Sequence, residues 1–168
     1  HPIAVNGLVP DANLVQIGTG VAINTSGATH MAYSFKNTPG LCKIGTYVGN
    51  SSTDGTYVST GFKPRFIWIF NTTLTSADAE RPIIDTARYK FNGSTTAGGN
   101  NGGIVFSDQR KAEEAQNTSL GVNPAIDILS DGFKLRANDS TINTGTTYLY
   151  ISMAELAGNG TLPPIYGR

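Results

Sequence analysis

A chain of 168 residues with 12 basic and 12 acidic side chains carries no net charge, so it lacks the concentrated cationic surface that nucleic acid requires. It has no run of 18 apolar residues and no basic amphipathic segment, which argues against membrane insertion. Its single cysteine, Cys42, excludes an internal disulfide and a paired-cysteine metal site.

Polarity comes from Asn, Thr, Ser and 20 glycines, and 39% of residues are hydrophobic, enough for one sandwich core. In chain order, Leu14 to Ile17 alternates, and Thr29 to Phe35 alternates again with Met31, Tyr33 and Phe35 on one face. Leu41 to Val48 and Thr56 to Ser59 read as strands on either side of the turn-forming run from Gly49 to Gly55. Phe66-Ile67-Trp68-Ile69-Phe70 is apolar at every position, which predicts a central strand covered on both faces, with Phe66, Trp68 and Ile69 buried. Arg81 to Asp85, Tyr89 to Phe91 and Ile104 to Phe106 follow as short strands. The stretch from Asn92 to Gly103 has nothing to pack and predicts an exposed loop. Ser107 to Ala115 has helix formers without an apolar stripe, which predicts a turn, a loop or one short helix. Ile126 to Leu129 and Phe133 to Arg136 flank Ser130-Asp131-Gly132, the clearest hairpin signal in the chain. Thr146 to Met153 closes the list, with Leu149, Ile151 and Met153 on the expected core face and Tyr148, Tyr150 and Ser152 on the other. Short strands at roughly 8–12-residue spacing predict an all-β chain folded as an antiparallel two-sheet sandwich.

The chain also repeats itself. Ile23-Asn24-Thr25-Ser26-Gly27 and the segment to Phe35 return as Ile142-Asn143-Thr144-Gly145 and the segment to Met153, with one gap near Ser26. Gly27 then matches Gly145, Thr29 matches Thr147, and Ser34 matches Ser152. Residues 1–40 therefore read as the end of a preceding repeat, 41–158 as one sandwich domain and 159–168 as a tail. An N-terminal strand pair copying the C-terminal one is expected, and its orphaned apolar face predicts association with a neighbouring subunit.

Three motifs carry a family resemblance. Thr60-Gly61-Phe62-Lys63-Pro64-Arg65-Phe66-Ile67, Ile84-Asp85-Thr86-Ala87-Arg88 and Ile126-Asp127-Ile128-Leu129-Ser130-Asp131-Gly132-Phe133-Lys134-Leu135-Arg136 resemble a recurrent domain of tailed-phage virion proteins. Thr147 to Glu155 resembles the strand that closes that domain. The resemblance implies a sandwich of the concanavalin or jelly-roll kind, of the tail-fibre or receptor-binding type. It also implies a place on the virion, on tail or capsid surface, contact with other virion proteins, and a homotrimer. Its expected action is attachment to a host surface glycan or protein. The alternatives are a purely structural virion component, such as a capsid-decorating or fibre-joining protein, and more remotely a glycan-degrading enzyme.

Sites follow from loop tips and exposed aromatics. Tyr57, Tyr89, Asn92, Asn100 and Asn101 are the candidate receptor contacts, because flat aromatic faces beside amide donors suit sugar rings. Chemistry finds less footing. Retaining glycosidases need paired carboxylates, and although Asp127 and Asp131 have even spacing, Asp131 falls in the predicted turn. The only imidazoles are His1 and His30, too few for a triad or a zinc site. No catalytic residue, metal or cofactor is expected. Asn-x-Ser/Thr occurs at Asn24, Asn50, Asn71, Asn92, Asn117, Asn138 and Asn159, which is read as Asn and Thr crowding the loops.

Overall fold

A computed structural model of the chain describes residue 20 and residues 24–73, 80–88, 103–107 and 126–155. The chain divides into two compact units, His1–Ser34 and Phe35–Arg168. The second unit contains eight described strands: β1 (Cys42–Val48), β2 (Tyr57–Ser59), β3 (Pro64–Asn71), β4 (Pro82–Asp85), β5 (Ile104–Phe106), β6 (Ile126–Ile128), β7 (Gly132–Leu135) and β8 (Thr147–Ala154). They form a larger antiparallel sheet in the order β1-β8-β3-β4-β5 and a smaller one in the order β2-β7-β6. No helix occurs among the described residues. The expected all-β, two-sheet sandwich is the architecture found. The predicted strand at Tyr89–Phe91, the predicted loop from Asn92 to Gly103 except Gly103 itself, the stretch after Ser107 and the C-terminal tail lie outside the described residues.

In the first unit, Ala28 N–H donates to the Thr25 carbonyl across a turn in which Gly27 takes a positive φ of 78°. No strand follows it. Met31 and Tyr33 are each 79% exposed, so the expected strand is not formed over residues 24–34, and its upstream partner at Leu14–Ile17 lies outside the described residues. Just downstream, residues 39–41 form a turn. Thr38 and Cys42 exchange both backbone hydrogen bonds, as the first rung of a hairpin would. The next rung needs Ile44 N–H to reach the Lys36 carbonyl, but the Asn37 side-chain oxygen takes that donor instead.

The inner faces of the two sheets supply the core. Ile67, Ile69, Ile84 and Ile104 of the larger sheet are buried with Ile126, Phe133 and Leu135 of the smaller one. The tyrosines of β8 belong to this interior, which reverses the expected facing of that strand. Tyr148 is fully buried and stacks on Tyr47 at 5.0 Å between ring centroids, and Phe133 meets Tyr150 edge to face at 5.6 Å. Burial is tolerable because the hydroxyls of two of these rings find partners. Tyr47 donates to the Ile142 carbonyl, and Tyr148 donates to the Ser140 carbonyl while accepting from Thr144 N–H. Gly45 lies opposite Tyr150 in the ladder, where a Cβ would come within 2.9 Å of the Tyr150 hydroxyl.

The outward face of the larger sheet is also apolar. Register aligns Ile44, Ile151, Trp68, Ile83 and Val105 in one row across all its strands. Leu149 and Phe70 stand beside that row on one side, and Met153 and Phe66 on the other. Trp68 and Phe66 are therefore half-buried on the outside of β3 rather than sealed in the core, whereas Ile67 and Ile69 on its inner face are fully buried. β3 does sit at the centre of its sheet, as its apolar run implied.

One buried amide holds the crossing from β1 to β2. The Asn143 side chain is fully buried and donates to the carbonyls of Ser52 and Ala137, while its oxygen accepts from Asn50 N–H. Gly49 fits beneath this segment only because it lacks a Cβ, which would meet the Thr144 carbonyl oxygen at 2.0 Å. Replacing Asn143 with Ala leaves several buried backbone groups unpaired and should cost about 3 kcal/mol. Denaturant unfolding should show a larger loss for Asn143→Ala than for Trp68→Ala; the reverse ranking would mean that the outward face, not this amide, bears more of the stability.

Candidate functional site

The outward face of the smaller sheet is unlike that of the larger. Phe133 and Leu135 of β7 point inward, so Lys134 points outward, with Tyr57 of β2 and Asp127 of β6 on either side of it in register. Asp54, from the β1–β2 turn, reaches the same row. The Lys134 ammonium lies 2.6 Å from an Asp54 carboxylate oxygen, and the Arg136 Nε lies 2.6 Å from Oδ2 of Asp127. Asp54 is highly exposed, and its hydrogen bond with Lys134 holds its carboxyl below the usual carboxylate range. Asp127 is buried, and its other oxygen, Oδ1, has no hydrogen-bond partner.

Tyr57 stands out of this lattice with 44% of its surface exposed. The nearby Asp131 carboxylate raises the pKa of its hydroxyl above the ordinary tyrosine value, with desolvation acting the same way and Ser59 in the opposite direction. Asp131 is fixed by the β6–β7 hairpin, where its carbonyl accepts from Thr60 and Gly61 N–H. The ring thus has a carboxylate near its polar end and is open on its face, an arrangement that offers contact area with polar groups at the rim.

Of the five receptor-contact residues predicted from sequence, Tyr57 lies on this surface. Tyr89, Asn92, Asn100 and Asn101 lie outside the described residues. Sequence reasoning missed Lys134, Arg136 and Asp54. The alternation of Phe133-Lys134-Leu135-Arg136 was the available signal, because it sends both cations to one face. The two aspartates weighed as a carboxylate pair differ in setting: Asp127 is locked to Arg136 on a strand, and Asp131 is exposed in the turn. Half-buried Cys42 lines a cleft of about 250 Å³ with Lys43, Thr60 and Phe62. No histidine or carboxylate lines that cleft among the described residues. Among the described residues there is also no cluster of three or more metal-ligating side chains.

A family model for a domain of unknown function, DUF7483, matches residues 2–157. The chain belongs to the DUF7483 family. No match was found among curated proteins or among solved structures. The DUF7483 match spans both the sandwich and the segment before it.

The influence of Asp131 on Tyr57 is measurable. In the intact DUF7483 domain the Tyr57 hydroxyl should titrate above free tyrosine, and Asp131→Asn should bring it down toward the ordinary value. NMR of the labelled ring carbon through the alkaline range reads this directly, and an unchanged pKa in Asp131→Asn would remove Asp131 as the cause.

Proposed function

We propose that this chain is a virion surface module of a tailed phage, a tail-fibre or fibre-tip domain that attaches to a host surface glycan or protein. The observation that carries the reading is Tyr57, an aromatic ring held open among ion pairs on the outward face of the smaller sheet. Sugar rings present alternating apolar faces and hydroxyl edges, which suit a fixed aromatic plane rimmed by carboxylates and an ammonium. The three sequence motifs that resemble tailed-phage virion domains support the same placement. Its action is binding, with no bond made or broken. A purely structural virion role remains the second reading, and the two part company in one assay.

Purified protein should retain host cells or a subset of an array of bacterial surface glycans, and Tyr57→Ala should weaken that binding on the order of tenfold. A folded wild-type protein that binds neither cells nor glycans would favour the structural role. Release of reducing sugar from host polysaccharide would overturn the binding-only reading.

A further inference from the structure

We propose that the outward face of the larger sheet is the surface through which copies of this chain join. The proposal is independent of the attachment reading, which uses the opposite side of the sandwich. Three observations lead to it. The first is the continuous apolar row of Ile44, Ile151, Trp68, Ile83 and Val105, which crosses every strand of the sheet without a polar interruption. A sheet whose outer face met water would alternate apolar-in with polar-out, as β7 does with Phe133 and Lys134. β3 and β8 instead place Trp68, Phe70, Leu149 and Met153 outward, each half-buried.

The second observation is size. Strands about 4.8 Å apart and a two-residue repeat of about 6.7 Å give each outward position roughly 32 Å², so the nine apolar side chains of these rows cover on the order of 300 Å². That suits the apolar centre of a standard interface, which covers about 800 Å² on each partner once its polar rim is added. The rim is present. Asp85 with its partner Arg88 ends one row, and exposed Thr46 and Thr147 flank another. A second copy is the occupant these features fit. An apolar centre within a polar rim can be its own complement, as contact between identical surfaces requires, and a chain with no net charge raises no long-range repulsion against its copy.

The third observation weighs against strand addition at β1. Edge strand β1 could join copies by strand addition, but its free edge is largely occupied. Thr38 pairs with Cys42, the Asn37 side chain takes Ile44 N–H, and the Thr56 hydroxyl donates to the Val48 carbonyl. What β1 leaves accessible is its outward side chains, including Val48 at 60% exposure.

Trp68 is the only tryptophan of the chain and stands in the middle of this face, so fluorescence excited beyond the tyrosine absorption band reports on it alone. Sedimentation of the full chain over a dilution series should show reversible association through this face to a pair of chains. Trp68 emission should shift to the blue and resist acrylamide quenching as the assembly forms. Thr46→Arg and Val48→Lys alter exposed positions of this face, so the fold should survive, as far-UV circular dichroism would verify. Either should weaken association by about tenfold or more, because each places a charge in an apolar contact. Ser130→Lys, on an exposed turn of the smaller sheet, should leave association unchanged. A chain that remains monomeric at every concentration, or an assembly indifferent to Thr46→Arg and Val48→Lys, would overturn the proposal.

Discussion

The Asn143 amide is the constraint on which the sandwich turns. A two-sheet fold needs its chain to leave one sheet and enter the other, and here β1 must hand over to β2 within the run from Gly49 to Thr56. Such a crossover strands backbone donors and acceptors where no ladder can pair them. Asn143 gathers them: its side chain serves Asn50, Ser52 and Ala137, and its own carbonyl accepts from Ser51 N–H. Burying a polar side chain is favourable only when every group is satisfied, and this one binds the β1–β2 turn to the segment that leads into β8. The tyrosine stack lies directly beneath. Tyr47 and Tyr148 end on carbonyls of that same 140–142 segment, so the polar clamp and the aromatic core hold one piece of chain from two sides.

Much of this was written in the pattern of residues. All of the strands found were anticipated to within a few positions, because Gly, Asn, Asp and Ser clusters separate short apolar runs throughout, and Ser130-Asp131-Gly132 is the turn its composition announced. The facing of β8 was not readable. Alternation assigns residues to two faces but does not say which face is inside, and Leu149, Ile151 and Met153 looked the better core by hydropathy. Tyr148 won the interior because carbonyls of Ser140 and its neighbours were placed to receive its hydroxyl, a tertiary fact with no local signature. The same ambiguity put Trp68 inside by expectation and outside in fact. The repeated Ile-Asn-Thr element, noticed for its recurrence, contained in its second copy the asparagine that clamps the crossover. Recurrence marked the residue without saying what it does.

The candidate site was legible in one residue and obscure in its setting. Tyr57 could be singled out as an aromatic beside a loop. Its surroundings required the register of β2, β7 and β6, which brings Tyr57, Lys134 and Asp127 into line from positions far apart in the chain. The two outward faces of the sandwich consequently differ in kind: one is a lattice of charges around an exposed ring, the other carries a continuous apolar row. A domain with two such unlike exteriors can contact two unlike environments at once.

Gly45 and Tyr150 share one parcel of space. With a Cβ at position 45 excluded by the Tyr150 ring, the volume in that corner of the core belongs wholly to β8, and none of it to β1. Substitution at either position is therefore conditional on the other: bulk can migrate to position 45 only after position 150 has shrunk, and in that order. The N-terminal copy of β8 has Ala32 where the C-terminal copy has Tyr150. Two segments of similar pattern thus demand differently shaped neighbours, and neither can replace the other against an unaltered β1. The N-terminal segment set in the place of β8 would leave that corner of the core empty, however alike the two look when read as letters.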